Sequence, residues 1–288
     1  MSKIKAQTEN SLSHRLTIYE ILKTAEARIG AISDSPKLDS QLLLAHALTS
    51  KREWLIAHSD VRVDSRSVKK FEALLKRRLS GEPIAYITGK RGFWQREFVV
   101  NPSVLVPRPE TEILVEIILS HLAQKEQHII DLGTGSGVIA ISIAAERPDW
   151  IVTGIDRSPD AIAIAKKNAA GLNNIDFNTS NWCSDIAECS VDAIVSNPPY
   201  LCEDDPHLMK LGHEPMAALI AGPDGLEAIR EIVPTAYSCL KIGGFLLVEH
   251  GYNQQALVRE IFTRAGYRRL RGIKDLNNLP RAVLGYRL

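Results

Sequence analysis

The chain has no long apolar run, no paired cysteines and almost no net charge, and each of these lacks removes a class of protein. Its 288 residues carry 35 Lys and Arg against 34 Asp and Glu, a formal net charge of +1. No field of one sign acts along the chain to recruit nucleic acid or an anionic membrane. Two short basic runs, Lys76-Arg77-Arg78 and Arg268-Arg269, are expected as solvated faces rather than a recognition strip. The four cysteines, Cys183, Cys189, Cys202 and Cys239, form no C-x-x-C pair, and the histidines are scattered without metal-ligand spacing. Neither a disulfide framework nor a zinc site is expected, and reduced thiols fit the cytoplasm. Met1 to Arg15 is polar with no signal-peptide core, and no later stretch reaches the length of a membrane span. A soluble, unexported protein without internal repeats is expected.

What is present begins with helical periodicity. Ile18, Ile21, Leu22, Ala25 and Ile29 recur at i, i+3, i+4 spacing, with Gly30 placed as a C-cap. Leu38, Leu42, Leu43 and Ala45 to Leu48 repeat the pattern, and Val68, Phe71, Leu74, Leu75 and Leu79 repeat it again after Asp64 or Ser65. Helices this short must bury their stripes against one another, which predicts a small bundle over residues 1–82. Two strands at 84–89 and 97–101 are expected as a hairpin linker over 83–109. The prolines of Val106-Pro107-Arg108-Pro109-Glu110-Thr111-Glu112 then break the strand, and a helix starts at Glu110 or Thr111.

From His128 onward strands and helices alternate. Strands are expected at 128–131, 151–156, 175–178, 193–196 and 245–249, with helices at 139–145, 161–168 and 226–240. That alternation calls for an α/β domain over 110–288, with a mostly parallel sheet covered on both faces. Segments 267–271 and 282–288 are expected as antiparallel edge strands.

Ile129-Ile130-Asp131-Leu132-Gly133-Thr134-Gly135-Ser136-Gly137 is a strand entering a glycine loop and then a helix. The glycines let the backbone turn tightly and approach a ligand without Cβ clashes. A lone loop of this kind is weak evidence, since plain strand-to-helix turns share its composition. Asp156, roughly twenty residues on at the end of the next strand, adds an acid suited to ribose hydroxyls. The loop reads G-x-G-x-G, not the G-x-G-x-x-G of dinucleotide sites, and Asp131 before it would repel a pyrophosphate. A carboxylate there suits the cationic amino-acid end of S-adenosylmethionine.

Asn197-Pro198-Pro199-Tyr200 directly follows the strand pattern at 193–196. Two prolines fix φ and take two N–H donors off the backbone. The turn that remains shows acceptors, the Asn197 side-chain oxygen and the Asn197 and Pro198 carbonyls, beside an aromatic ring. Such a pocket suits a planar –NH2 group with two donors and a π face. Alone it does not separate an adenine amine from a glutamine amide.

Together these residues resemble the amino-methyltransferases of the seven-stranded S-adenosylmethionine fold, and more closely the HemK-type glutamine-N5 methyltransferases that act on bacterial peptide-chain release factors. The match spans nearly the whole chain: the helical first domain, Gly81-Glu82-Pro83-Ile84-Ala85-Tyr86, Pro107-Arg108-Pro109-Glu110-Thr111-Glu112, the glycine loop, Asn197 to Tyr200, and His213-Glu214-Pro215. The Pro-Arg-Pro-Glu-Thr-Glu segment discriminates best, because related ribosomal-protein glutamine methyltransferases typically replace its second proline. The resemblance implies a Rossmann-like methyltransferase domain preceded by a helical bundle that recognises the release factor, and a hairpin linker. It implies that Gly133, Thr134, Gly135, Ser136 and Gly137 wrap the methionine end of the cofactor, that Asp156 holds the ribose and that Trp182 packs near the adenine. Asn197, Pro198, Pro199 and Tyr200 would bind the substrate glutamine, with Asn197 also close to the transferred methyl. Family members often carry an acid just before the tryptophan, where this chain has Asn181; Asp185 is a candidate substitute.

A glutamine side-chain nitrogen is a poor nucleophile, because amide resonance draws off its lone pair. The expected catalytic residues are therefore acceptors that position it, Asn197 and Pro198, with Tyr200 packed on the amide plane. The expected substrate is the Gly-Gly-Gln domain of class I release factors, met by a monomer with no direct nucleic-acid contact. Glu249-His250 resembles an acid/base pair but is expected to pack at a strand end under the cofactor. His213-Glu214 is expected to orient a substrate loop or cap a turn, and Arg108 and Glu112 to make interdomain or substrate-loop contacts. A ribosomal-protein glutamine methyltransferase, a DNA adenine-N6 methyltransferase and a non-catalytic cofactor-binding module remain as alternatives. The DNA enzyme would need a strongly basic recognition region and a pocket for a flipped base.

Overall fold

A computed structural model describes residues 16–122 and 126–288; the polar segment Met1 to Arg15 lies outside the described residues. The chain divides into two compact units between Gly89 and Lys90.

In the first unit, α1 (Ile18–Ile29) opens on a capping box. The Thr17 hydroxyl accepts from the Glu20 N–H, and the Glu20 carboxylate accepts from the Thr17 N–H. Helix α2 (Pro36–Leu48) starts on a proline, α3 spans Arg52–Ala57, and α4 (Ser65–Leu79) is capped by Asp64, which accepts from the N–H groups of Arg66 and Ser67. The predicted stripes meet in one core of Ile18, Ile21, Ala25, Ile29, Leu43, Leu44, Phe71, Leu74 and Leu75, whereas Leu38 is exposed. Arg77 pairs with Glu82 and Arg78 with the buried Asp39, so this run is not a free basic strip.

Residues 84–88 are not the expected strand. Ile84–Thr88 forms a short helix, α5, preceded by Pro83 and stopped by Gly89 at φ +75°. The proline presets the entry and the glycine supplies the left-handed exit, and this punctuation outweighs the β-preference of the isoleucines and tyrosine between them. The hairpin follows instead as β1 (Lys90–Phe93) and β2 (Arg96–Val99), within the second unit. Phe93 and Phe98 meet edge to face at 6.2 Å and join the core of that unit.

The sheet comprises β3 (His128–Leu132), β4 (Ile151–Asp156), β5 (Ile175–Thr179), β6 (Val191–Ser196), β7 (Leu240–Glu249), β8 (Arg268–Lys274) and β9 (Pro280–Tyr286). Their order is β5-β4-β3-β6-β7-β9-β8. The first five strands are parallel, and β9 runs antiparallel to both β7 and β8. The two last segments are thus antiparallel as expected, but only β8 is at the edge; β9 is inserted between β7 and β8.

Helices α6 (Glu112–His121), α7 (Val138–Glu146), α8 (Pro159–Asn168), α9 (Glu227–Cys239) and α10 (Gln255–Arg264) cover the sheet; α10 is not among the helices expected from the sequence. Alternate strand residues feed two cores. Ile129, Val152, Ala193, Val195 and Leu247 pack on one face with α7, and Ile130, Leu132, Ile194, Leu246 and Val248 on the other with α9. Burial on both faces accounts for the nearly continuous apolar strands. Strand order reverses between β3 and β6, which opens a crevice at the carboxyl ends of these strands. Among the described residues, no helix is long and apolar enough to cross a membrane.

One side chain ties the hairpin to the glycine loop. Asn168, last in α8, accepts from the Val99 N–H at 2.8 Å and donates to the carbonyls of Val99 and Ser136 at 3.0 and 2.9 Å. Asn168→Ala strands three backbone groups. It should lower unfolding free energy by roughly 2–4 kcal/mol, read as a reduced urea midpoint with an unchanged slope; a shift within error would show that the hairpin is held elsewhere.

Candidate active site

The glycine loop lies at the carboxyl end of β3. Gly133, Gly135 and Gly137 have φ of +71°, +54° and +84°, values that disfavour any residue with a Cβ. The loop is strapped to the end of β4: the N–H groups of Gly133 and Thr134 both donate to the Ile155 carbonyl at 2.8 and 2.9 Å. Asp156 accepts from the Gly135 N–H at 2.9 Å through Oδ2 and from the Ser158 N–H at 2.9 Å through Oδ1.

These groups line a cavity of about 200 Å³, walled by Gly133 to Ser136, Asp156, Ser180 to Trp182, Asn197, Pro199, Leu105, Arg108 and Thr111. A Cβ on Gly135 would find only the Gly133 carbonyl, 4.0 Å away, whereas one on Gly133 would sit 3.3 Å from the Trp182 ring. A backbone cradle, a carboxylate and an indole wall form a donor and acceptor set that fits a nucleoside with a polar tail.

Two expected cofactor contacts fall elsewhere. Gly137 does not line the cavity; its Cβ would come within 2.7 Å of Ile141 Cδ1, so it is glycine for helix packing as well as for its φ. Asp131 is also off the cavity. It is wholly buried, and its Oδ2 accepts from the Thr134 hydroxyl at 2.7 Å and the Ala140 N–H at 3.2 Å. It braces the loop from beneath because its strand position turns the side chain inward, and its Oδ1 has no partner. Burial pushes this carboxyl up to about 7. Asn181 does line the cavity, with its Nδ2 donating to Glu231 at 2.9 Å; Asp185 does not.

The Asn197 turn borders this cavity and also a second hollow of about 120 Å³. Pro198, Tyr200, His207 and Leu211 line only this second space, while Leu105, Arg108, Asn197, Pro199 and Ala218 border both. The Asn197 Nδ2 donates to Thr111 Oγ1 at 3.1 Å, leaving Oδ1 as the end of the amide turned away from Thr111. The Tyr200 carbonyl accepts from Gln254 Nε2 at 3.0 Å, and its hydroxyl donates to Glu249 Oε1 at 3.3 Å. Burial pushes the Tyr200 phenol up and the Glu249 carboxyl up to about 7.

Neighbouring charged groups act as struts. Glu214 is buried; it accepts from Arg108 Nη2 at 2.5 Å and from the Val106 N–H at 2.9 Å, fixing the proline segment beside the turn. Glu112 accepts from the Trp94 N–H at 2.8 Å, so it holds the β1–β2 turn. His250 is fully buried at a strand end, its Nδ1 2.8 Å from the Gly251 carbonyl, but it lines neither space.

Thr111, Glu249 and Gln254 are not among the site residues expected from the sequence. Thr111 lies inside a segment already singled out, yet its contact with Asn197 spans 86 positions. Gln254 sits on a loop before α10 and carries no motif that could have marked it.

Sheet order, glycine cradle and proline-ended acceptor turn define an S-adenosylmethionine-dependent methyltransferase. Residues 20–89 match the family described as PrmC N-terminal domain and residues 109–213 the methyltransferase small domain. Among similar proteins, the release factor glutamine methyltransferase of Coxiella burnetii is 43% identical over 275 residues, covering 94% of this chain and 99% of the relative. The protein of that name from Escherichia coli K12 is 41% identical over 257 residues, with 88% and 93% covered. That from Xylella fastidiosa Temecula1 is 42% identical over 254 residues, with 86% and 92% covered. The chain belongs to the release factor glutamine methyltransferase family.

The raised carboxyl of Asp131 has a stability consequence with a definite sign. A folded-state pKa above the unfolded one means that the native state holds the proton more tightly, so stability falls as pH rises between the two values. Asp131→Asn removes that loss. The variant's melting temperature relative to wild type should climb between about pH 4 and pH 7 and then level off, equivalent to a few kcal/mol; a pH-independent difference would place the Asp131 titration outside this window.

Proposed function

We propose that this chain transfers a methyl group from S-adenosylmethionine to the side-chain nitrogen, N5, of the glutamine in the Gly-Gly-Gln motif of bacterial class I release factors. The observation that carries the reading is the Asn197 amide, which borders both hollows and whose oxygen end is the one directed away from Thr111. The larger hollow would take the cofactor, with Gly133 to Ser136 around its methionine end, Asp156 at the ribose and Trp182 beside the adenine. The smaller would take the glutamine side chain, bordered by Asn197, Pro198, Pro199 and Tyr200.

S-adenosylmethionine, when bound, supplies an electrophilic methyl group. The chain's own contribution is positional. No side chain here is basic enough to deprotonate an amide, so Asn197 Oδ1 and the Pro198 carbonyl accept the two N–H donors and hold the nitrogen. Tyr200 packs on the amide plane and excludes water. Positioning of this kind contributes about 7–11 kcal/mol, and acceptors aimed at the positive charge growing on nitrogen add to it. The product sheds its proton afterwards.

The helical first unit would dock the release factor, a role supported by its exposed Tyr19, Trp54 and Ile56. On this reading the enzyme acts as a monomer; its free cysteines support the cytoplasm, and the near-zero net charge speaks against a nucleic-acid substrate.

The test is methylation of a release factor by labelled donor, beside a Gln→Ala control in its Gly-Gly-Gln motif and duplex DNA. Label should enter the intact factor only; label in DNA, or label surviving the Gln→Ala change, would overturn the assignment. Asn197→Ala should lower turnover by more than about a hundredfold while calorimetric binding of S-adenosylmethionine persists.

A further inference from the structure

We propose that Gln254, which lines neither hollow, is a positioning residue that fixes the aim of the Pro198 carbonyl by clamping the Tyr200 end of the acceptor turn. The inference rests on the reading of the Asn197 turn as the acceptor for the target amide, and it adds what keeps that turn in place.

The turn cannot hold itself through its own backbone. Pro198 and Pro199 have no N–H to give, and among the described residues no hydrogen bond reaches the Pro198 carbonyl. That carbonyl is open to a ligand, so its direction is set by the residues on either side. On one side Asn197 is tied to Thr111 at 3.1 Å. On the other, the Tyr200 N–H donates to the Leu219 carbonyl at 3.2 Å. The Tyr200–Leu201 peptide is then held at both ends: its carbonyl accepts from Gln254 Nε2 at 3.0 Å, and its N–H donates to Leu219 at 2.9 Å.

Gln254 is 9% exposed and bonded at every face of its amide. Nε2 also donates to the carbonyls of Asp224 and Gly225 at 3.4 and 3.3 Å, and Oε1 accepts from the Gly251 N–H at 2.8 Å. Three acceptors at one end and a donor at the other leave the amide a single orientation. Flipped, its oxygen would meet three carbonyl oxygens and its amino group an N–H. The backbone makes room for it: a Cβ on Gly225 would come within 2.3 Å of the Tyr200 carbonyl oxygen and 2.8 Å of Gln254 Nε2. One side chain therefore joins the turn after β6, the loop before α9 and the loop before α10. None of Tyr200, Gly225, Gly251 and Gln254 lines the cofactor cavity. Loss of the clamp should reach methyl transfer without reaching the cofactor. Releasing the Tyr200 carbonyl frees its peptide plane to rotate and carries the Pro198 acceptor with it, and a misplacement of about 1 Å costs about a hundredfold in rate. Acceptors matter most as charge grows on the nitrogen, so the loss falls on kcat rather than on KM.

The experiment measures kcat and KM for release-factor methylation at saturating S-adenosylmethionine, with cofactor affinity read separately by calorimetry. Gln254→Met, similar in length but without donor or acceptor, should lower kcat by roughly thirty- to a hundredfold. Its KM for the release factor should stay within about threefold, and its cofactor affinity within about twofold, of wild type. Gln254→Glu keeps the shape and can give one O–H to the Tyr200 carbonyl only while it is neutral. Its kcat relative to wild type at the same pH should therefore be highest in acid and fall toward the Gln254→Met level as pH rises. This second variant decides the matter if Gln254→Met does not fold. A wild-type kcat in Gln254→Met, a pH-independent ratio in Gln254→Glu, or a cofactor affinity that falls in step with kcat would overturn the proposal. Asn197→Ala separates the two readings: full activity there removes the acceptor turn itself, whereas an inactive Asn197→Ala beside a wild-type kcat in Gln254→Met removes only the role of Gln254.

Discussion

Everything at the site depends on the backbone pairing of β3 with both of its neighbours. Leu132, last in β3, is opposite Ile155 on one side and Ser196 on the other, and the Ser196 hydroxyl donates to the Leu132 carbonyl at 2.7 Å. That register brings the glycine loop, Asp156 and Asn197 to one edge of the sheet. A one-residue slip would reverse the alternation that buries Ile130 and Leu132 on one face and Ile129 on the other. It would also pull the loop away from the Ile155 carbonyl and the Asp156 carboxylate that shape it. Apolar burial on both faces therefore specifies where the polar chemistry sits.

Into this apolar frame the fold places two carboxyl groups whose ionised forms burial opposes. Asp131 braces the glycine loop from beneath, and Glu249 stands behind the acceptor turn. Neither lines the cavity. Each touches the groups that do line the two hollows, Thr134 in one case and Tyr200 in the other. The two walls of the site are thus each backed by an acid held in low dielectric, where its hydrogen bonds are strong and its ionisation is costly.

Much of this was legible in local patterns. Short continuous apolar runs and period-3.6 spacing marked the five parallel strands and most helices, because both faces of the sheet are covered and the apolar signal is strong. Asp64 stands at a helix start that the chain itself announces. The segment 84–88 misled because isoleucine and tyrosine favour strands on average, while a five-residue helix is set by the residues at its two ends. Gly133 and Gly135 were legible as a cradle, but Gly137 answers to Ile141 and Ala165, contacts that no local spacing reveals. His250 was correctly placed at a strand end but lines neither cavity, and Asp131 was legible as an acid beside the loop but not as one turned inward.

By itself the sequence determined most of the element types, the tight glycine turn after β3 and the acceptor character of Asn197 to Tyr200, since these follow from backbone torsions, missing N–H groups and side-chain polarity within a few residues. Only the tertiary structure decided how the acceptors are aimed. Thr111 reaches Asn197 across 86 positions, Gln254 reaches Tyr200 across 54, and Glu249 reaches Tyr200 across 49. Hydrogen-bond direction depends on partners brought together by sheet order, and sheet order is a property of the packed core rather than of any local run of residues.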